Sequence, residues 1–155
     1  MSFQLVSLPF EPFAPLFSLS DAELDQRDMK RVIAGEKPGY PCRVSLADAE
    51  VGEELLLLPF THQPARSPYR QAGPIFVRKS AHRCFPAAGE IPDYVRLRLM
   101  SVRAYDASHQ MIDAAVCPGE NVAQTILTMF ENLDVAYIHL HNAKRGCFSC
   151  RVDRT

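Results

Sequence analysis

Residues 136–151 combine histidine, cysteine and arginine at spacings that could support chemistry. The sequence AYIHLHNAKRGCFSCR alternates apolar and polar residues on both sides of a loop that ends in glycine, which is typical of a β-hairpin. Cysteine with histidine can supply a nucleophile and its general base, and arginine is suited to carboxylate or phosphate. The segment therefore predicts a site in which His141 and Cys147 are the candidate base and nucleophile.

The alternation also predicts the register of this hairpin. If the apolar residues of both strands share the core face, residues opposite each other must have numbers of equal parity. A three-residue loop of 144–146 meets that condition and places Gly146 where a type I turn with a bulge needs a positive φ. The second face of the hairpin then carries Tyr137, His139, His141, Cys147, Ser149 and Arg151.

Other interpretations of this face remain open. Alternating polar residues on an antiparallel strand often form only the solvated side of a half-buried sheet. A third interpretation is a zinc site. The ion would be bound by His139, His141, Cys147 and Cys150, by histidines alone, or by histidines with a carboxylate. Because two cysteines three residues apart on a strand point to opposite faces, we assign no metal ligand from the sequence, and the cofactor stays unknown.

Basic residues are concentrated in the middle of the chain. The net charge is -1, with 17 basic and 18 acidic residues, yet residues 64–103 carry eight basic and only two acidic residues. Arginine outnumbers lysine thirteen to four, and its planar fork binds carboxylate or phosphate through two hydrogen bonds. We therefore expect a small anionic ligand held by Arg78 and Arg103, with an ordinary charged surface as the alternative.

Composition excludes several classes of protein. A chain of 155 residues with 47% hydrophobic content is typical of one domain, and we expect a single domain over residues 1–155. No segment approaches the roughly 20 apolar residues of a membrane span, and the N-terminus lacks the pattern of a signal peptide. Five cysteines, an odd number, favour free thiols in the cytoplasm. No nucleic-acid-binding motif is present, so we expect neither a nucleic-acid nor a membrane partner.

Further patterns predict the elements that would position the site. Ser20 and Glu23 form a capping-box pattern for a short helix, and residues 53–60 resemble a central buried strand. Residues 61–73 are polar and rich in proline, which predicts a long loop carrying His62, either exposed or part of a lid. The main helix is expected over residues 121–132, with one apolar stripe: Val122, Ile126, Met129, Phe130 and Leu133.

A second hairpin is predicted from residues 97–105 and 110–117. Its first strand would place Met100, Val102 and Ala104 on the same face as Ile112, Ala114 and Val116. These elements together predict an α+β fold, with a mainly antiparallel, strongly bent sheet that could approach a barrel and one main helix packed on it.

Four segments of the chain resemble the bacterial family catalogued as domain of unknown function 1203. They are PCRVSLADAEVGEELLLL (41–58), SPYRQAGPIFVR (67–78), RAYD (103–106) and HNAKRGC (141–147). The resemblance implies a stand-alone small bacterial protein and no particular activity. The positions that match the family pattern are Cys42, Arg43, Ser67, Tyr69, Gly73, Arg78, Arg103, Tyr105, Asp106, His141, Asn142, Gly146 and Cys147.

These observations favour a protein that binds a small anionic molecule in a pocket of Arg, His and Cys residues, with His141 and Cys147 as candidate catalytic groups. Whether it is an enzyme is left open. The expected ligand-binding residues are Arg43, Tyr69, Arg78, Arg103, Tyr105, Asp106, His139, Asn142 and Arg151. The alternative is a non-catalytic interaction or structural domain, with the hairpin face as a homodimer or partner surface.

Overall fold

The computed structural model describes residues 1–155 as two compact units. The first consists of Met1–Val6, Thr61–Gly73 and Phe85–Thr155, and the second of Ser7–Phe60 and Pro74–Cys84. The single domain expected from chain length stays a prediction.

Ten strands and three α-helices make up the regular structure. The strands are β1 (Phe3–Val6), β2 (Lys30–Ile33), β3 (Pro41–Cys42), β4 (Ala47–Asp48), β5 (Glu54–Gln63), β6 (Gln71–Arg78), β7 (Leu99–Tyr105), β8 (Met111–Pro118), β9 (Tyr137–Asn142) and β10 (Phe148–Arg154). The helices are α1 (Asp21–Gln26), α2 (Asp93–Arg96) and α3 (Val122–Phe130), with short 3-10 helices at Ala14–Ser18 and Gly119–Asn121. None of the helices is long and apolar enough to cross a membrane.

The first unit contains a five-stranded sheet in the order β1-β10-β9-β7-β8, in which every neighbouring pair is antiparallel. Helix α3 contacts β7 and β8, and its residues Val122, Ile126 and Phe130 are fully buried. The predicted main helix is thereby confirmed, preceded by a 3-10 turn. The expectation that Leu133 belongs to its buried stripe is wrong, since Leu133 follows the helix and is 85% exposed.

The second unit contains the sheet β2-β5-β6-β3-β4. Its β2–β5 and β3–β4 pairs are antiparallel, and its β3–β6 pair is parallel. The capping box predicted at Ser20 and Glu23 is present at the start of α1. Strand β5 lies inside the sheet between β2 and β6, and Leu55, Leu56 and Leu58 are buried as the apolar run predicts.

The fold class is confirmed: the strands are mostly antiparallel, and there is one main helix. The strands form two sheets rather than one, and each sheet has two edge strands, so neither closes into a barrel. The predicted loop over 61–73 is wrong at both ends, because β5 continues to Gln63 and β6 begins at Gln71. These strand ends belong to the first unit.

One predicted face of the β7–β8 hairpin is also wrong. Met100, Val102 and Ala104 are fully buried as expected, but their partners across the ladder are Cys117, Ala115 and Asp113. The residues expected to share their face, Ile112, Ala114 and Val116, lie on the opposite face of this edge strand and are exposed. Opposed residues here have numbers of unlike parity, and a one-residue change of register moves every side chain to the other face.

Candidate functional site

Strand β9 places three polar aromatic residues on one face of the first unit's sheet. All six residues of β9 are buried. Ile138 and Leu140 lie on the apolar face opposite Ala104 and Val102 of β7. By alternation, Tyr137, His139 and His141 lie together on the other face.

Two arginines lie directly opposite His139, one on each neighbouring strand. Arg103 of β7 and Arg151 of β10 are its partners across the two ladders. Directly opposed residues share a face, with Cβ atoms about 5 Å apart. The structure therefore forms a row, Arg103–His139–Arg151, across three strands. It brings together three of the predicted ligand-binding residues.

The hairpin of β9 and β10 has the predicted register over most of its length. Leu140 pairs with Cys150, His139 with Arg151 and Tyr137 with Asp153, which are pairs of equal parity. Gly146 has φ +79°, the positive angle that the turn was expected to need.

Near the loop, the register shifts between Phe148 and Cys150, and Phe148 pairs with His141. This bulge was not predicted. It turns the Phe148 ring toward the histidines, where we had expected core packing. Ser149 is buried, and its hydroxyl donates to the hydroxyl of Tyr94 (2.7 Å).

Three histidines and one phenylalanine form a ring cluster on this face. The centroid of His62, near the end of β5, lies 4.8 Å from that of His141 and 6.1 Å from that of His139. The His139 and His141 centroids are 6.4 Å apart. Phe148 stacks on His62 at 5.3 Å and contacts both other rings. His62 is only 8% exposed, so the expectation of an exposed histidine is wrong.

Hydrogen bonds to oxygen acceptors orient two of these imidazoles. His141 Nδ1 lies 2.9 Å from the carbonyl oxygen of Gly146, and because a carbonyl only accepts, Nδ1 carries the hydrogen. Similarly, His62 Nε2 lies 3.3 Å from Oε1 of Gln71. In the neutral rings, the nitrogens without hydrogen are then Nε2 of His141 and Nδ1 of His62.

Some buried polar atoms at the site have no hydrogen-bond partner in the protein. They include Nδ1 of His62, Nδ1 of His139 and Oδ1 of Asn142. More than nine-tenths of buried polar groups in proteins are hydrogen-bonded, and an unpartnered one costs about 1–3 kcal/mol. Such atoms call for an explanation, and a ligand is one.

Burial disfavours the charged form of two of these imidazoles, His139 and His62. It lowers the pKa of His139 to about 3, and the positive charges of the neighbouring histidines and of Arg151 and Arg103 add to the effect. Burial also lowers the pKa of His62, and Arg103 contributes in the same direction, whereas the hydrogen bond that His62 donates to Gln71 raises it. Neutral imidazoles are the form that accepts hydrogen bonds and binds metal ions.

Tyr137 is the centre of a second set of contacts. Its hydroxyl accepts a hydrogen bond from Gln63 Nε2 (2.8 Å) and lies 2.8 Å from Nδ1 of His109. Its ring stacks on Tyr105 at 5.2 Å, and the guanidinium of Arg151 lies 4.2 Å from its centroid. Burial raises the pKa of Tyr105, so that phenol stays protonated. The predicted residue Tyr105 is thereby placed beside the histidine cluster.

A cleft of about 260 Å³ opens onto this face. Its lining residues are His62, Gln63, Pro64, Ala65, His109, Tyr137, His139 and Arg151. Four of the five histidines in the chain therefore contact the cleft or the ring cluster, and no acidic residue lines the cleft. The volume is slightly below the usual range for pockets that hold drug-sized ligands, which fits a smaller molecule.

Arg103 and Arg151 keep part of their hydrogen-bonding capacity. Arg151 makes its only hydrogen bond within the protein through Nε, to Asp153 (2.6 Å), and Arg103 makes its only one through Nε, to the hydroxyl of Ser101 (3.1 Å). Their terminal nitrogens make no hydrogen bond within the protein. Both can therefore donate to an anion.

Arg43 and Arg78 belong to the second unit. Arg43 is fully buried and donates to the carbonyl of Pro41. Arg78 is bound by both carboxylate oxygens of Glu53 (2.7 and 2.8 Å) and by Ser45 Oγ. All three guanidinium nitrogens of Arg78 are therefore hydrogen-bonded within the second unit. The sequence predicts Arg78 as an anion clamp, but the structure shows it bound to Glu53.

The remaining predicted residues lie in the first unit, on turns and flanks. Asp106 accepts hydrogen bonds from the backbone of Ser108 and Gln110 and so stabilises the β7–β8 turn. Tyr69 is 38% exposed and meets Tyr105 edge to face at 6.2 Å. Asn142 contacts Cys147 twice, through its backbone N–H to the carbonyl oxygen (2.9 Å) and through Nδ2 to Sγ (3.5 Å).

The candidate zinc ligand Cys150 does not lie on the face that carries the histidine cluster. Cys150 pairs with Leu140 on the apolar face and is 1% exposed. Nowhere in the chain do three or more His, Cys, Asp or Glu side chains already converge at metal-ligand distance.

Sequence reasoning missed three residues of this site, Gln63, His109 and Phe148, and did not predict that His62 is buried. The polar, proline-rich composition of residues 61–73 predicts a loop, so the ends of β5 and β6 in this segment were not predicted. An indication was present, because histidines are few and two of the five, His139 and His141, lie at alternating positions of one strand.

The fold and site define a small α+β protein with a histidine-lined cleft. A family model described as "Protein of unknown function (DUF1203)" matches residues 39–154. The chain belongs to that family, as the resemblance implied. No curated protein and no solved structure gives a significant match.

Proposed function

We propose that the protein binds a small anionic molecule in the cleft formed by His62, Tyr137, His139 and Arg151. The observation that carries this proposal is the row Arg103–His139–Arg151, in which two arginines with unengaged terminal nitrogens flank one imidazole. A carboxylate is the anion we favour, because arginine binds it through two parallel hydrogen bonds.

The electrostatic environment of the cleft supports binding of an anion. Asp153 is the acidic partner of Arg151, and no carboxylate lines the cleft itself. Partial burial of Arg103 strengthens its interaction with a bound anion, since the effective dielectric constant is lower there than in water.

The polar lining would select among anions. The hydroxyl of Tyr137 and the side chains of Gln63 and His109 form one connected network at the cleft wall. Such a network can reverse its hydrogen-bond directions to suit a hydroxyl or carbonyl on the ligand. We therefore expect small hydroxy or keto acids to bind more tightly than unsubstituted acids of the same size.

Chemistry by His141 and Cys147 is a further part of this proposal. Hydrogen bonding to Gly146 leaves Nε2 as the basic nitrogen of His141, and Asn142 orients the Cys147 thiol. A nucleophilic role requires that His141 change the reactivity of this thiol, which the alkylation experiment in the Discussion measures.

The alternative of an interaction domain that uses the hairpin face is less well supported. All six residues of β9 are buried, so this face offers a partner little more than the half-exposed Arg151. We also propose a location in the bacterial cytoplasm, which the five free cysteines support.

The test is calorimetric titration of protein treated with a chelator, which removes any metal ion. The titrants are acetate, lactate, pyruvate, malonate and phosphate at low ionic strength. The variants are Arg103→Gln and Arg151→Gln, and the matched control is Arg27→Gln, an exposed arginine of the second unit. A hydrogen bond to a charged group contributes about 1.5–3 kcal/mol, so Arg103→Gln and Arg151→Gln should each weaken binding about tenfold or more. Equal affinity in all three variants would contradict the proposal.

A further inference from the structure

We propose that the imidazoles of His62, His139 and His141 bind one divalent transition-metal ion of the kind that prefers nitrogen ligands, such as Zn²⁺. The inference does not rest on anion binding, because the ion would be bound by imidazole nitrogens, whereas the anion would be bound by the guanidinium groups of Arg103 and Arg151. Imidazole suits zinc, copper, nickel and iron, and three histidines are a known ligand set for zinc with one open position.

The first observation is the proximity of the three rings, which do not form a metal site as they stand. His62 approaches from β5, while His139 and His141 are alternate residues of β9. Every pair of these rings is in contact, with centroids between 4.8 and 6.4 Å apart. All three side chains are more than nine-tenths buried, which would keep competing water away from the ion.

The second observation is the pair of unpartnered nitrogens. Nδ1 of His62 and Nδ1 of His139 are buried without a hydrogen-bond partner in the protein. Two such atoms in one ring cluster would be costly without a ligand. A metal ion satisfies both at once.

The third observation is that the second ring nitrogens of His62 and His141 donate hydrogen bonds to oxygen atoms. His62 Nε2 donates to Gln71 and His141 Nδ1 donates to the carbonyl of Gly146. A histidine that binds a metal almost always donates its second N–H to a carbonyl or carboxylate oxygen, which fixes the ring and its tautomer. Two of the three rings already have this arrangement.

Binding requires a small movement of the rings. Imidazoles on one tetrahedral ion have centroids about 5 Å apart, given metal–nitrogen distances of about 2.0 Å. The His62–His141 pair is at 4.8 Å, whereas His139 is at 6.1 and 6.4 Å from the other two. His139 must therefore move inward by about 1 Å. The fourth position would face the cleft, which His62 and His139 both line.

The test is titration of chelator-treated protein with Co²⁺, whose visible spectrum reports coordination, followed by competition with Zn²⁺. We expect one ion per chain, four- or five-coordinate bands and no thiolate charge-transfer band. The variants His62→Gln and His139→Gln should each weaken Co²⁺ binding at least tenfold, because loss of even an outer-shell partner typically costs ten- to hundredfold. His82→Gln, an exposed histidine of the second unit, is the matched control.

Two further measurements keep the outcome decisive if a variant fails to fold. Zinc-edge X-ray absorption of the wild-type protein should show three imidazole ligands, and Cys147→Ser should leave the Co²⁺ spectrum unchanged. Binding that His82→Gln abolishes, a sulfur ligand in the absorption spectrum, or the absence of stoichiometric binding would each overturn the proposal. Anion binding is measured separately on metal-free protein, so the failure of either proposal is distinguishable from that of the other.

Discussion

The ring of His62 stacks on the ring of Phe148, with centroids 5.3 Å apart and planes within 8° of parallel. Phe148 faces this way because the register of β10 shifts by one residue beside it. The stack joins the end of β5 to the β9–β10 hairpin within the first unit. Phe148 also contacts His139 and His141, so one apolar ring packs against all three imidazoles.

Replacing Phe148 should therefore destabilise the protein strongly. Phe148 is 4% exposed, and Phe→Ala at a buried position costs about 3–5 kcal/mol. We expect Phe148→Ala to lower the free energy of unfolding in urea by that order. Phe85→Ala is the control, since Phe85 is 74% exposed and its loss should cost about 0.5 kcal/mol or less. Similar losses in both variants would show that the stack contributes little.

The positive φ of Gly146 gives a second prediction. A Cβ at Gly146 would meet nothing within 4 Å, and its φ is +79°, so Gly146→Ala would cost only backbone strain of about 1–2 kcal/mol. Gly73 also has open space but lacks a positive φ, which makes Gly73→Ala the matched control. Thermal unfolding of both variants measures the difference. Equal melting temperatures would contradict the turn geometry.

The hairpin illustrates how far sequence reasoning reaches. Alternation and Gly146 were enough to predict the pairing of His139 with Arg151, because parity and turn geometry are local properties. The bulge beside Phe148 was not predictable, since one unpaired residue leaves the hydrophobic pattern almost unchanged. The same limit explains the wrong face assigned to Ile112 and Val116, where the register depends on the length of the turn.

The proximity of His62 to His139 could not be predicted from the sequence for another reason. It depends on tertiary packing of the 61–73 segment over β9, and polar composition favours a loop there. Likewise, nothing in the pattern distinguishes Arg78, which Glu53 binds, from Arg103, whose terminal nitrogens are unengaged. Both are arginines on strands in a basic region, and only the neighbouring carboxylate differs.

The low pKa of His139 predicts a pH-dependent stability. The folded protein keeps this ring neutral down to about pH 3, while the ordinary value is 6.5. Between these values the unfolded chain binds a proton that the native state does not. The contribution of His139 to stability is therefore complete above about pH 6.5 and declines as the pH falls toward 3.

Urea unfolding of the metal-free protein at about pH 7 and about pH 4.5 measures this effect. His139→Gln should lose less stability on acidification than the wild type, whereas His82→Gln should behave like the wild type. An acid dependence unchanged by His139→Gln would contradict the burial of a neutral imidazole.

The accessibility of the cysteines predicts their order of alkylation. Cys42 and Cys150 are buried, whereas Cys84, Cys117 and Cys147 are partly exposed. Iodoacetamide labelling followed by mass spectrometry should modify the latter three first. If His141 serves as the base for Cys147, His141→Ala should slow labelling at Cys147 and leave Cys84 unaffected. An unchanged rate at Cys147 would remove the catalytic part of the proposal and leave binding intact.

The central claim is that Arg103 and Arg151 bind a small anion beside His139, and side-chain NMR tests it most directly. Malonate is titrated into ¹⁵N-labelled, metal-free protein while the Nε–Hε signals of the arginines and the imidazole signals of the histidines are followed. We predict that Arg103, Arg151 and His139 shift together along one saturating curve, while Arg78 and Arg27 do not move. Shifts confined to other arginines, or no saturable shift at these three residues, would contradict the account.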